Sequence, residues 1–214
     1  MLVVATHTER VARMLATGVG PALPAQARCP ACDGSLGRWP GYARLVRHRH
    51  RTTRLWVQRC VCRSCGRTHA LLPSFLLAYR RDVVATIGAA LLGAARGVGH
   101  RPLADSAGLP AATVRGWLRR ARCALSARAA LVAVLCQLSD ERAGARARGD
   151  PRGWLLDVIA DVHQAAHARL PPVDCCAFNV ASMITNGSLL SRGYRCPSPA
   201  REPSAPPNRC RQLR

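Results

Sequence analysis

The residues best placed to do chemistry in this chain are cysteines. Cys29-Pro30-Ala31-Cys32 is followed by Cys60-Val61-Cys62-Arg63-Ser64-Cys65-Gly66. Four thiolates suit a tetrahedral zinc ion, and a two-residue gap lets one tight turn aim both sulfurs of a pair at the same ion. Gly66, just after the second pair, can take the positive φ that such a turn often needs. Three cysteines compete for two places in that second pair. Cys62 and Cys65 alone have the two-residue gap, so the expected ligands are Cys29, Cys32, Cys62 and Cys65, holding one zinc per chain. Cys60 then sits on the incoming strand as a small apolar residue, and His69 is the nearby substitute for a thiolate.

To bring those sulfurs together, the chain between the pairs has to double back. It reads as a hairpin: Tyr42 to His48, a polar connection from Arg49 to Thr53, then Leu55 to Arg59. That is the layout of a zinc ribbon, with the metal clamping the open end of the hairpin. The same stretch carries Arg38, Arg44, Arg47, Arg49, Arg51, Arg54, Arg59, Arg63 and Arg67, with His48 and His50, and Trp39, Tyr42 and Trp56 are interleaved. A basic ribbon with aromatics can lie along a phosphate backbone. Equally, charge on a hairpin blocks edge-to-edge pairing.

A second constellation lies between His100 and Arg119. Leu103, Ala104, Gly108, Leu109, Val114, Trp117 and Leu118 have the spacing of a helix-turn-helix. Ala104 lets the second helix approach closely, Gly108 can adopt the left-handed turn conformation, and the apolar positions form a shared core. Pro110 fits the start of the second helix, where no backbone donor is missed. That helix, about Ala111 to Cys123, is the expected recognition helix. Its tip is small (Ala111, Ala112, Thr113), which permits deep entry into a major groove. Arg115 is the candidate to reach a base edge, and Arg119, Arg120 and Arg122 lie further along, where the helix would cross a phosphate strand. The DNA-binding set is therefore Ala112, Thr113, Arg115, Arg119, Arg120 and Arg122.

Supporting elements follow from spacing. Thr8 can cap a short helix carrying Val11, Met14 and Leu15, broken by Gly18, Gly20, Pro21 and Pro24. Asp82 can cap a helix running to Gly97, with Val84, Ile87, Leu91 and Ala95 on one face. Leu131, Leu135 and Leu138 suit packing or a homodimer contact. The chain divides into an N-terminal helix and linker (1–27), a zinc ribbon (28–73), a helix-turn-helix domain (74–139), a helical C-terminal region (140–195) and a disordered basic tail (196–214). The fold class expected is mainly α with a small β zinc ribbon.

Bulk composition agrees with a polyanionic partner. The formal net charge is +21, from 32 cationic residues, all of them Arg, against 11 acidic ones. Arg forks onto phosphate oxygens and guanine edges at any working pH. High genomic GC content accounts for Arg replacing Lys, but not for the scarcity of acids. The N-terminal stretch lacks a basic leader and is broken by Glu9, Arg10 and Arg13, so no secretory signal is read there. The longest apolar run, Ala129 to Cys136, is too short to span a bilayer. A cytoplasmic, nucleoid-associated location is expected, where eleven cysteines point to metal ligands before disulfides.

The run Arg-Cys-Val-Cys-Arg-Ser-Cys-Gly-Arg-Thr-His-Ala-Leu-Leu-Pro (59–73), with Thr-Val-Arg-Gly-Trp-Leu-Arg-Arg (113–120), resembles an actinobacterial domain-of-unknown-function family. That family pairs an N-terminal zinc ribbon with a helix-turn-helix, and is similar to the DNA-binding half of insertion-sequence transposases. The resemblance is close over residues 28–122. It extends to Ala-Ser-Met-Ile-Thr-Asn-Gly-Ser-Leu-Leu-Ser (181–191), whereas Cys60 and the Arg-rich end after Tyr194 depart from it. It implies binding to terminal repeats of DNA. It would also imply a catalytic core of three carboxylates on mixed α/β structure, but the 86 residues beyond 128 are too few for one. Asp157 and Asp161 share a helix face, as do His163 and His167, and both pairs read as surface residues. The function expected is double-stranded DNA binding by a non-enzymatic, transposase-derived or stand-alone regulator, without a small-molecule substrate or membrane. The alternatives are a zinc-ribbon adaptor for RNA or a protein assembly, and an inactive transposase fragment.

Overall fold

A computed structural model of the chain describes residues 1–48, 50–138, 151–169 and 176–191. Among these it has seven helices and one four-stranded sheet. The expected linker between the helical regions and the basic tail lie outside the described residues.

The hairpin is longer than its β-type residues suggest. It pairs β2 (Leu36–His48) with β3 (Arg51–Cys62) in antiparallel register, from Leu36↔Cys62 to His48↔Arg51. The register shifts between Trp39 and Tyr42, where Pro40 has no N–H to give the ladder. Strand β4 (Thr68–Pro73) adds to β3, and β1 (Leu2–Val4) runs parallel to β4, giving the order β1-β4-β3-β2. Between β1 and the hairpin comes α1 (Thr8–Thr17). It starts at Thr8 with His7 at the cap position, so Thr8 is its first helical residue rather than its cap. Gly18, at φ +70°, ends it, and Gly18 and Gly20 then bond the backbone of Trp56.

The helices are α2 (Val84–Ala95), α3 (His100–Ala107), α4 (Ala111–Arg122), α5 (Leu125–Leu138), α6 (Pro151–Arg169) and α7 (Ala177–Ile184). No single described helix is long and apolar enough to cross a membrane. Their apolar faces and the inner face of the sheet merge. Leu55, Val57 and Leu72 belong to the same buried cluster as Ile87, Leu91, Trp117, Leu131, Leu155 and Phe178. The small residues make that possible: a side chain on Gly88 would lie 2.4 Å from the Phe178 ring. Val84, Ile87 and Leu91 are buried as their spacing implies, but Ala94 takes the inward place expected of Ala95. Leu131 and Leu135 are buried within the chain itself, where α5 packs on α6.

Asp82 does not cap α2. Val83 holds the cap position, without a side-chain hydrogen bond. Instead Asp82, only 4% exposed, takes two bonds from Arg47 on β2: Nε to Oδ1 at 2.6 Å and Nη2 to Oδ2 at 3.1 Å. Backbone bonds reinforce the pair, from Arg47 N to Arg81 O at 2.7 Å and from Val83 N to Arg47 O at 3.2 Å. The tip of the hairpin is thereby fixed to the entrance of α2. Arg47 keeps 30% of its side chain exposed but Asp82 is buried, so removing Arg47 strands a charge in the interior. Arg47→Ala should therefore destabilise the fold by about 3–5 kcal/mol in urea unfolding. The double change Arg47→Leu with Asp82→Leu should cost much less, because it strands nothing.

Candidate metal centre and basic helix face

The two cysteine pairs stand at the open end of the hairpin, and each is shaped by local backbone bonds. In the first, Asp33 N donates to Cys29 O at 2.8 Å and Cys29 N to Gly34 O at 3.0 Å. In the second, Gly66 N donates to Cys62 O at 3.0 Å and Cys62 N to Arg67 O at 2.9 Å. The residue after the second cysteine is left-handed in both turns, Asp33 at φ +57° and Gly66 at φ +70°. Gly takes this conformation freely, and Asp is among the few other residues that tolerate it. Arg63 N to Ser35 O, 3.0 Å, ties one turn to the other.

As a result the sulfurs of Cys29, Cys32, Cys62 and Cys65 all lie within 4.8 Å of one another and can hold a metal ion. Sγ atoms of Cys29 and Cys65 are 3.7 Å apart, and those of Cys32 and Cys62 are 3.5 Å apart. Four sulfurs about 2.3 Å from a central ion would be separated by about 3.8 Å. The thiols are free, and the separations are far too long for a disulfide. Cys29 and Cys62 are buried while Cys32 and Cys65 are exposed.

The surroundings favour thiolate at one corner. The backbone N–H of Cys65, 3.5 Å from Cys62 Sγ, stabilises its anion most, and the thiol is drawn down to about 6. At Cys32 the Gly34 amide works in the same direction. The sulfurs of Cys62, Cys65 and Cys29 outweigh it, and the thiol is pushed up to about 12. Crowded thiols that resist a second ionisation are what a cation relieves.

Cys60 stands apart from this group. It is buried on β3, its thiol donates to His69 O at 3.6 Å, and burial raises its pKa. His69 is also buried, with Nε2 3.4 Å from Cys29 Sγ, so it meets the cluster from outside. Burial first, then the Met1 amino group and Arg67, lowers its pKa. Such contacts orient a ligand without supplying one.

The second candidate surface lies on α4. Gly108, at φ +62°, turns the chain out of α3, and Leu109 N bonds Ala104 O at 2.9 Å. Ala104, Leu109, Val114, Trp117, Leu118 and Ala121 are buried and Leu103 partly so. Of the six residues expected on the outer side, Ala112, Arg115, Arg119 and Arg122 are exposed, and Thr113 and Arg120 half-buried. Arg115, Arg119 and Arg122 line a groove of about 440 Å³ together with Val98 and His100. Arg120 turns the other way: its Nη1 lies 2.9 Å from where a Gly116 side chain would begin. Asp157 and Asp161 are exposed on α6. On the same helix His163 and His167 bring their Nε2 atoms to 3.1 Å.

Sequence reasoning passes over Asp33 and assigns no role to His100 or Gly116. A signal for Gly116 exists: a glycine in mid-helix costs about 1 kcal/mol against alanine and asks for a reason.

Residues 29–117 match a family described as a domain of unknown function (DUF6431). No curated protein and no solved structure matches the chain.

Metal analysis of the purified protein should find one ion per chain. Cys32→Ser or Cys65→Ser should abolish it, and Cys60→Ser should retain it. Loss on Cys60→Ser with retention on Cys62→Ser would put Cys60 in the place of Cys62 as the fourth ligand.

Proposed function

We propose that the chain is a zinc-ribbon, helix-turn-helix protein that binds double-stranded DNA through α4. Zinc fits the four thiolates because a closed S4 site with no open position is a structural one, and soft sulfur donors select it. In this reading the ion locks the open end of the hairpin and takes no part in chemistry.

The observation that carries the DNA reading is how residue types are sorted around α4. At about 100° per residue, Val114, Trp117, Leu118 and Ala121 form the buried side. Ala112 and Gly116 stand near the middle of the outer side. Arg119 stands there too, further along the helix; Arg115 and Arg122 run along one margin, and Arg120 with Thr113 along the other. A helix whose outer side begins on small residues and carries arginines further along and at both edges suits a major groove, with bases below its tip and a phosphate strand on either side. Arg115 is nearest the small tip and is the residue assigned to a base edge, where a guanine offers two acceptors.

A net charge of +21 supports a polyanionic partner. Resemblance to the DNA-binding half of transposases supports a transposase-derived or stand-alone regulator in the cytoplasm, associated with the nucleoid. No catalytic residue is proposed. One observation favours a second reading, that of an RNA adaptor: Trp39, Tyr42 and Trp56 on the hairpin are 46%, 42% and 51% exposed, and aromatics stack on unpaired bases.

A binding selection on randomised duplexes tests the first reading. Arg115→Ala should cost about 1–3 kcal/mol on the preferred site and relax choice at one base pair. An unchanged motif would remove α4 as the reader.

Salt separates the partners further. On duplex, each phosphate neutralised should add about −0.9 to the slope of log affinity against log salt. Preference for single-stranded RNA, lost on Trp56→Ala, would transfer the function to the hairpin.

A further inference from the structure

On α6 two histidines stand one turn apart, and their ring nitrogens converge. Positions four apart share a helix face, so His163 and His167 are neighbours. Their Nε2 atoms are 3.1 Å apart, the ring centroids 4.5 Å apart, and the ring planes are inclined at 77°. A head-on N–H···N bond of that length would hold the centroids about 5.4 Å apart. Here the rings are bent towards a common point instead. Two imidazoles sharing a metal ion, each nitrogen about 2.05 Å from it, would subtend about 98° at the ion and place the centroids about 4.8 Å apart. The observed 4.5 Å lies on that side.

The helix holds the pair in place. Leu155, Val158, Ile159, Val162 and Ala166 are buried where α6 packs on α5 and α7. His163 is half-buried and His167 exposed, so an ion reaches the pair from solvent. His167 lies in the last turn of α6, and the C-terminal end of a helix favours positive charge. Asp157 and Asp161, exposed on the same helix, offset part of the repulsion that a net charge of +21 exerts on a cation. Among the described residues the ribbon cysteines are the one group of three or more converging ligands. The histidine pair thus offers two nitrogens and leaves the other positions of an ion to water or an outside ligand.

We infer that His163 and His167 chelate a late first-row divalent ion through their Nε2 atoms, at a second metal site that shares no residue with the thiolate centre. Imidazole suits Cu(II), Ni(II) and Zn(II), whereas Mg(II) and Ca(II) take oxygen ligands. An angle of about 98° lies between the square and tetrahedral values, so the pair admits all three, and copper binds most tightly by the usual order. With two protein ligands the ion is exchangeable, unlike one enclosed by four sulfurs. The purified chain therefore keeps the sulfur-bound ion and takes the second only when it is supplied. Neither α4 nor DNA takes part.

Nickel is the probe, because copper(II) oxidises thiols. The full chain, loaded with one equivalent of zinc, is titrated with Ni(II) by calorimetry. One further equivalent should bind, and Mg(II) should not. His167→Ala should lower the affinity by roughly a hundredfold, because a chelate becomes a single ligand. His167 is exposed, so this variant should fold as wild type does. Joining His167→Ala to Ala168→His keeps the number of histidines but moves one about 100° round the helix. It should bind as weakly as the single variant. Nickel on thiolate absorbs intensely in the near ultraviolet by sulfur-to-metal charge transfer, and the wild-type titration should lack that band. Uptake that is unchanged in His167→Ala belongs to other residues and overturns the pair, whether or not the band accompanies it. Failure of wild type to take up nickel beyond the zinc overturns it too. So does recovery of wild-type affinity by Ala168→His, since the spacing would then be immaterial.

Discussion

A carboxylate that loses nearly all contact with water requires a cation, and Asp82 finds it in Arg47, thirty-five positions earlier in the chain. Much of the architecture depends on that requirement. The pair joins the tip of the hairpin to the first turn of α2, and α2 forms the floor on which α3 and α4 rest. Arg44, three residues before Arg47 on the same strand, secures the preceding turn through Leu77 O and Arg80 O. One strand therefore orients the helices through two arginines used as structural ties. In a chain this rich in arginine, charge is used inside as well as displayed outside: burial lowers the pKa of Arg44, and Arg128 lies 4.6 Å from the Trp154 ring centroid.

The hairpin is held differently at its two ends. At the tip a salt bridge does it. At the open end four sulfurs converge on a space fit for one ion. An ion held there would supply at that end what a hydrophobic core supplies in the middle. Cys60 and His69 divide the remaining work, the first filling space and the second steadying Cys29.

Local patterns are legible in the sequence. The cysteine turns are four residues each, and the knuckle spacing selects Cys62 and Cys65 over Cys60 without any structure. The apolar spacing in α3 and α4 likewise finds Ala104, Val114 and Trp117, because a helix repeats every few residues. What the sequence hides involves distant partners. Asp82 resembles a helix cap because nothing nearby signals Arg47. Leu2–Val4 has no visible partner, since its strand neighbour is Leu71–Pro73. Tyr79 reads as an ordinary residue until the bonds of its neighbours to Arg44 and Gly187 show that its φ of +58° is imposed. Arg120 groups with Arg119 and Arg122 along the chain, but the helical rotation carries it to the opposite margin, where it lies over Gly116.

The parallel pairing of β1 with β4 bears on how the molecule comes into being. Val3 leaves the ribosome well before its partner Leu72, which follows far behind. Asn186, whose side chain donates to Met1 O at 2.8 Å, follows later still. Contacts so distant along the chain form slowly, because a long loop must close before they contribute anything. The hairpin and its cysteines can assemble as soon as Gly66 emerges, whereas the first strand waits beside an unfinished sheet edge. During that interval an apolar strand is uncovered, and the nascent chain is at its most vulnerable to sticking to its neighbours.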